Sequence, residues 1–354
     1  MNKRQRELID KLCEKHSLSV EEYRELIVAR SEETAQLLAE RADAVRRKIY
    51  GTQVYIRGLI EISNICKNDC LYCGIRRGNE TCIRYRLSKQ EILDCCEEGY
   101  GLGFRTFVMQ GGEDPFFTDD VVCDIVASIK NKFPDCAVTL SLGERNRESY
   151  QKLYDAGADR YLLRHETADA GHYAKLHPKE MSYEARMECL DNLRKIGFQT
   201  GCGFMVGSPY QTELNLAQDL KFVEQFQPDM CGIGPFIPHE HTPFREFPGG
   251  DAGLTCFLLS VIRLVHPYIL LPSTTALGTI AHDGRERGIL AGANVVMPNL
   301  SPLAVRKNYE LYNNKISTGE EAAQGLALLQ KKMQSIGYEI VSARGDVKKE
   351  KGRT

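Results

Sequence analysis

The strongest constraint on how this 354-residue chain folds is an alternation that starts near residue 50 and runs to residue 297. Eight short apolar runs recur there: Val54 to Ile62, Thr106 to Gln110, Ala137 to Leu142, Arg160 to Arg164, Gly201 to Val206, Cys231 to Phe236, Ile269 to Thr274 and Asn294 to Met297. The segments between them carry helix-entry and helix-exit chemistry. Ser88-Lys89-Gln90-Glu91 is a capping box, Thr118-Asp119-Asp120 sets acidic groups in a first turn, and Asp155-Ala156-Gly157-Ala158-Asp159 reads as a helix end running straight into a strand. Repeated strand-helix units imply a parallel sheet, and eight of them without a Gly-x-Gly-x-x-Gly turn favour closure into a (β/α)8 TIM-type barrel over an open doubly wound sheet. In such a barrel the chemistry sits at the C-terminal ends of the strands, so the polar residues there matter most.

The flanks divide accordingly. Met1-Asn2-Lys3-Arg4-Gln5-Arg6-Glu7 opens a charged amphipathic helix, Ser19-Val20-Glu21-Glu22 caps a second with Tyr23, Leu26 and Ile27 on its apolar face, and another follows from about Ser31 to Tyr50. Residues 1–50 are therefore expected to form an N-terminal helical extension and 51–312 the barrel. A helix containing Tyr309 and Tyr312 is expected after Met297. Residues 313–345 form a helical segment that starts at Gly319-Glu320-Glu321 and buries Leu326, Leu329 and Met333, and 346–354 a charged tail that does not pack. With 42% hydrophobic and 27% charged residues the chain can bury a sizeable core, which excludes wholly disordered and collagen-like chains. Forty-six basic against 48 acidic residues leave a net charge of −2, so no basic field attracts nucleic acid or an anionic membrane. No run approaches the ~18 apolar residues of a membrane span, and the start lacks a signal segment, so a cytoplasmic protein is expected.

Thirteen cysteines, an odd number scattered through apparent helices and strands, fit a reducing compartment better than a disulfide framework. Three are grouped: Cys66-Lys67-Asn68-Asp69-Cys70-Leu71-Tyr72-Cys73, directly beyond the first strand. Three thiolates on a short loop can each bind one iron of a cubane and leave a fourth iron open to a small molecule. A structural zinc would instead want a closed tetrahedral set; no second ligand pair follows, and Cys82 stands alone nine residues on.

This loop resembles that of the radical S-adenosylmethionine (SAM) superfamily, whose Cys-x-x-x-Cys-x-x-Cys pattern it matches without deviation. The resemblance implies a [4Fe-4S] cluster on Cys66, Cys70 and Cys73, with SAM on the open iron and a 5′-deoxyadenosyl radical as the product of its reductive cleavage. It places the backbone of Tyr72 against the adenine. After the second strand, the paired glycines of Gln110-Gly111-Gly112-Glu113-Asp114-Pro115 let backbone approach a ligand, and Glu113 offers an acceptor to an ammonium; the stretch is similar to the superfamily's Gly-Gly-Glu element.

Further strand ends carry polar groups. A two-residue period puts Arg160, Leu162, Arg164 and Glu166 on one face, where two arginines and a glutamate need charged partners or ligands. Gly201 to Gly207 leaves room for a bulky cofactor at the fifth strand, while His239 and His241 read as a surface loop. Beyond the cysteine loop, Tyr85-Arg86-Leu87-Ser88, Gly112-Glu113-Asp114-Pro115, Thr139 to Glu144, Gly157 to Thr167, Gly232 to His239, Thr274-Thr275-Ala276 and Gly292 to Asn299 resemble the HydE family of [FeFe]-hydrogenase maturases over about residues 50 to 315. The resemblance implies anaerobic SAM-dependent chemistry in H-cluster assembly on a small organometallic iron substrate carrying cysteine, carbonyl and cyanide, alongside other maturases and an electron donor. It implies that Gln110, Gly112, Thr139, Ser141, Arg164, Glu166 and Arg186 surround SAM, and that Arg160, Thr274, Thr275, Met297 and Tyr309 line the small-ligand end. No cysteine follows Cys256, so the accessory C-terminal cluster of many members is expected to be absent. Two rivals stand beside it: a radical mutase similar to methylornithine synthase, which shares the cysteine loop, and a non-enzymatic iron–sulfur scaffold.

Overall fold

The computed structural model describes residues 1–316 and 322–349, so the expected helix start at Gly319-Glu320-Glu321 lies outside the described residues. Three helices come first: α1 (Lys3–Lys15), α2 (Val20–Val28) and α3 (Glu32–Tyr50). The barrel follows as β1 (Gln53–Ile56), β2 (Gly58–Ser63), α4 (Lys89–Gly101), β3 (Thr106–Gly111), α5 (Asp119–Lys132), β4 (Ala137–Ser141), α6 (Arg147–Asp155), β5 (Arg160–Leu162), α7 (Ala170–Leu176) and α8 (Tyr183–Ile196). It continues with β6 (Gln199–Cys202), β7 (Met205–Val206), α9 (Glu213–Phe226), β8 (Met230–Cys231), β9 (Gly234–Pro235), α10 (Ala252–Val265), α11 (Thr275–Ile280), α12 (Gly284–Leu290), β10 (Val295–Val296) and α13 (Leu303–Arg306). Last come α14 (Ala322–Ser335) and β11 (Glu339–Val341).

β2, β3, β4, β5, β6 and β8 pair in that order, every neighbour parallel. Bridges Met230↔Leu270 and Pro272↔Val295, with β10 parallel to β1, carry the ring round through the seventh apolar run and close it. The pleat sorts the side chains. Phe107, Met109, Val138, Leu140 and Tyr161 join the core under the surrounding helices, and the alternate residues Val108, Gln110, Thr139, Ser141 and Arg160 face the lumen. The helices start where the caps say: Ser19, Ser31 and Ser88 each accept from the amide three residues on, and that residue's side chain answers the cap amide. Gly157 ends the α6 turn at φ +105, a conformation that favours glycine. The helical extension is pinned to the barrel, with Tyr23 and Ser17 both donating to the Glu224 carboxylate of α9 at 2.8 Å. Among the described residues no helix is long and apolar enough to cross a membrane.

The structure departs from expectation at the C-terminal side. α13 ends at Arg306, and Tyr309 and Tyr312 lie in irregular chain, because the Tyr309 carbonyl accepts from the Lys315 ammonium at 2.7 Å instead of from a helix amide. The 313–345 segment also contains a strand: β11 pairs parallel with β1, Gln53↔Glu339 to Tyr55↔Val341. The charged tail is docked at its start, since Asp346 accepts from Arg160 at 2.5 Å and from Gln199 at 3.0 Å. Its carboxylate sits well below the usual range: burial opposes the charge, but Arg344, Gln199 and Arg160 outweigh it.

Candidate functional site

β2 ends at Ser63, and the chain does not re-enter a helix until Lys89, so the loop between them has to satisfy its own backbone. Arg84 does most of this. Its guanidinium donates to the carbonyls of Asn64 at 2.6 Å, Ile75 at 2.8 Å, Arg76 at 2.7 Å and Asn79 at 3.0 Å. Asn64 ties the loop's far end, giving its amide to the carbonyls of Ile83 and Asn308 and accepting from the Tyr85 amide. Sequence reasoning missed both residues; the one signal was an arginine and an asparagine inside a long stretch without regular structure.

The loop holds the three cysteines together, each half-buried. Cys66 Sγ accepts from the Glu113 amide at 3.4 Å, and Cys70 Sγ stands 3.6 Å from Met181 Sδ. Burial pushes all three thiols up, Cys73 to about 12, and each of Cys70 and Cys73 also feels the charge of Cys66. Such thiols become thiolates only when a cation displaces the protons. Cys82 lies apart: its electrostatic neighbours are Arg84 and Glu310, and its sulfur receives the Asn64 amide at 3.4 Å. Among the described residues no three His, Cys, Asp or Glu side chains converge on one ion-sized point, whereas a cubane asks each thiolate to meet a different iron.

Gly112 forms the wall beside Cys66. A Cβ there would stand 2.3 Å from the Ile65 carbonyl oxygen and 2.8 Å from Cys66 Cβ, so only glycine fits. The adjoining Asp114 locks this turn to β2, accepting from Arg86 at 2.6 and 2.9 Å and from Ser63 Oγ at 2.7 Å. The Glu113 carboxylate pairs with the Lys67 ammonium at 3.1 Å and packs against Gly143, where φ is +75 and a Cβ would meet Glu113 Cγ at 2.1 Å.

Across the lumen lies a set of polar groups whose partners are incomplete. Thr139 Oγ1, Arg164 Nε and Nη2 and Glu166 Oε2 are buried and have no hydrogen-bond partner within the protein, although Arg164 and Glu166 stand as an ion pair at 3.1 Å. Buried polar atoms left in this state call for a ligand or water. Glu166 is held there by backbone: its φ is +65, its amide donates to Gly203 O and its carbonyl accepts from Met205. Arg186 fixes the other side, donating to Glu144 and to the Arg164 carbonyl. Burial works against the Arg186 charge, but Tyr173 and Glu144 hold it firmly protonated. Glu144 is a third missed residue, with no signal beyond its place after a strand. His165, behind this wall, receives the Gly203 amide on Nδ1 and turns Nε2 toward Asp219 at 3.3 Å; burial keeps the ring neutral, down to about 3. Tyr72 is half-buried, its hydroxyl 3.3 Å from His177 Nε2.

Gln110 and Ser141 pair in register at the strand ends, and Gln110 donates to the Tyr309 hydroxyl at 3.3 Å. Met297 and Thr275 line one cavity of about 190 Å³, and Thr274 Oγ1 caps α11. Arg160 is not brought to this group. Its donors go to Gln199, Thr106 Oγ1, the Arg344 carbonyl and Asp346 at the N-terminal mouth. The reason is rise: four residues of strand separate it from Arg164, about 13 Å at ~3.3 Å each. At the fifth strand the expected room is taken by chain, since a Cβ on Gly203 would stand 2.1 Å from Gly232 O. His239 is buried against Gly74 of the cysteine loop, whereas His241 is exposed. The remaining expected residues are at the C-terminal mouth, where the orphaned donors and acceptors match a zwitterion with hydroxyls and the thiols match a cluster.

The chain matches the family model described as the Radical SAM superfamily over residues 60–223. It is 43% identical over 332 residues, 94% of each chain, to the [FeFe] hydrogenase maturase subunit HydE of Thermotoga maritima. It is 28% identical to 3-methylornithine synthase of Methanosarcina acetivorans, over 93% of this chain and 92% of that one. The crystal structure of methylornithine synthase (PylB) superposes with a TM-score of 0.82 at 26% identity, covering 94% of this chain and 97% of that one.

Proposed function

Because the chain belongs to the HydE family of radical SAM enzymes that mature [FeFe]-hydrogenase, we propose that its C-terminal mouth converts an iron species carrying cysteine, carbonyl and cyanide during H-cluster assembly, alongside other maturases and an electron donor. The observation that carries this reading is the trio of half-buried thiols beside Gly112, with Cys82 held apart. When bound, the [4Fe-4S] cluster and SAM supply a 5′-deoxyadenosyl radical by one-electron cleavage of the sulfonium. The chain's own residues do the rest. Cys66, Cys70 and Cys73 hold three irons; Gly112 lets backbone lie against the ligand; Tyr72 backs the adenine. Arg164 and Glu166 meet the charged ends of SAM, with Arg186 and Glu144 fixing their orientation, and Gln110, Thr139 and Ser141 supply neutral hydrogen bonds. Thr274, Thr275, Met297 and Tyr309 face the small ligand, where hydroxyls hold polar groups and a thioether tolerates a soft metal. The half-buried position of this set limits the access of water and stray hydrogen donors to the radical.

We read residues 51–312 as the catalytic barrel, the protein as cytoplasmic, and the lack of cysteine after Cys256 as the lack of an accessory cluster. The 43% identity to a hydrogenase maturase against 28% to a methylornithine synthase favours the maturase over the mutase. The test is anaerobic reconstitution, followed by 5′-deoxyadenosine measurement and hydrogenase activation with and without this protein in a mixture of the other maturases. Activation that proceeds equally without it defeats the reading.

A further inference from the structure

Glu166 has a backbone conformation that its surroundings must hold. Its φ of +65 is left-handed, which a residue with a Cβ keeps only where neighbours over-determine it. On one side the hold is local: the Glu166 amide donates to the Gly203 carbonyl at 3.0 Å, and its own carbonyl accepts from the Met205 amide at 3.3 Å. The other side is held by α9. Asp219 is fully buried, and its Oδ1 accepts from the Ala168 amide at 2.6 Å while standing 3.3 Å from His165 Nε2. One carboxyl group thus touches the chain on both flanks of Glu166. Phe222, on the same face of α9 one turn later, lays its ring against the His165 ring with centres 4.5 Å apart.

His165 passes this hold to the sheet. The Gly203 amide donates to Nδ1 at 3.3 Å, so the proton of the neutral ring sits on Nε2, toward Asp219. Gly203 is the residue whose carbonyl receives the Glu166 amide, and it is wedged in place, since a Cβ there would stand 2.1 Å from Gly232 O. Asp219 contributes little to the fold itself. Its Oδ2 has no hydrogen-bond partner among the described residues, and burial pushes the carboxyl well above its usual range. A leucine has the same shape and would carry no such penalty. What the carboxyl supplies is direction, because an apolar side chain can neither accept from Ala168 nor face the His165 proton. Between those two contacts lies Glu166, whose Oε2 is buried without a hydrogen-bond partner beside Arg164.

We propose that Asp219, through His165 and the Ala168 amide, is the positioning residue that holds Glu166 in its left-handed conformation and so aims its carboxylate at SAM. The inference rests on the reading of Glu166 as a group that meets SAM. Asp219 acts on the ligand only through that carboxylate.

The test measures SAM affinity by equilibrium dialysis on anaerobically reconstituted holoenzyme, together with hydrogen exchange resolved to the Glu166 amide. Asp219→Leu weakens SAM binding about tenfold, the scale set by release of one such backbone conformation, and speeds exchange of the Glu166 amide by a similar factor. Asp219→Asn, a neutral side chain that still accepts from Ala168, restores both. In a Glu166→Gln background Asp219→Leu brings no further loss of affinity, because the two changes act through one carboxylate. Thermal melts followed by circular dichroism report folding. Should Asp219→Leu melt well below the wild-type protein, His165→Phe, which removes the Nδ1 acceptor and leaves the Asp219 carboxyl in place, carries the test with the same expected losses. A folded Asp219→Leu that binds SAM as the wild-type protein does, while Glu166→Gln does not, overturns the proposal. So does unchanged exchange of the Glu166 amide, an equal loss in Asp219→Asn, or a full additional loss in the Glu166→Gln background. Glu166→Gln that binds SAM as tightly as the wild-type protein would sink the SAM reading of Glu166 instead, and the exchange of its amide would still decide whether Asp219 holds it.

Discussion

Arg84 is the position where a single change should separate loop order from barrel stability. Its four bonds to the carbonyls of Asn64, Ile75, Arg76 and Asn79 are 2.6 to 3.0 Å long and draw both ends of the cysteine loop onto one guanidinium. A hydrogen bond from a charged donor contributes about 1.5–3 kcal/mol net. Arg84 is not fully buried, so some of those carbonyls regain water when the guanidinium is removed, and the loss is nearer two bonds than four. That places Arg84→Gln at about 3–6 kcal/mol against the closed loop, which raises the population of open loop by about a hundredfold or more. Hydrogen exchange of peptides spanning residues 66–80 in the apoprotein should accelerate by that factor, and iron retained after anaerobic reconstitution should fall. The melting temperature should move little, because none of the four acceptors lies in a barrel strand. Arg84→Lys should behave almost as badly, since one ammonium cannot span four carbonyls. Full iron content together with unchanged exchange in Arg84→Gln would refute the reasoning.

Cys66→Ser, Cys70→Ser and Cys73→Ser should each abolish SAM cleavage while leaving circular dichroism intact, whereas Cys82→Ser should keep the cluster; cleavage by a cluster-free variant is the contrary result. Gly112→Ala should displace the cysteine loop, because its Cβ would meet the Ile65 carbonyl oxygen at 2.3 Å, and visible absorption after reconstitution reads the loss. His177 accepts from Tyr72 on Nε2 and donates Nδ1–H to the Tyr173 carbonyl, and burial lowers it to about 3. The unfolded chain binds that proton below about pH 6.5 and the folded one does not until about 3, so as pH falls through this window His177 removes about 1.4 kcal/mol of stability per pH unit. Urea titrations at successive pH values should show His177→Gln with a shallower slope than the wild-type protein. Asp114→Asn should loosen the turn beside Gly112 and weaken SAM binding by about tenfold, since it breaks the bidentate Arg86 pair; equilibrium dialysis with labelled SAM checks it.

Much of this protein is written in short-range pattern. The capping boxes at Ser19 and Ser88 and seven of the eight strand runs were legible because periodicity and cap chemistry act within a few residues, the run at 269–274 forming only the bridges at Leu270 and Pro272. The cysteine trio was legible for the same reason: ligand spacing on one loop is a local property. Gly112 and Asp114 stood out as a turn, although their partners Cys66 and Arg86 did not. What the strand pattern could not convey was which end of a strand a side chain would serve. Arg160 and Arg164 share a face, yet one binds Asp346 at the closed mouth and the other Glu166 at the open one. That choice depends on a tail 186 residues away folding back under the barrel, and with it on β11 adding to β1. The Glu144–Arg186 pair likewise exists only because ring closure brings distant strand ends together. Local sequence decides which elements form; the partner of a buried charge is decided by whatever the closed ring sets within 4 Å of it, and chain separation carries no information about that distance.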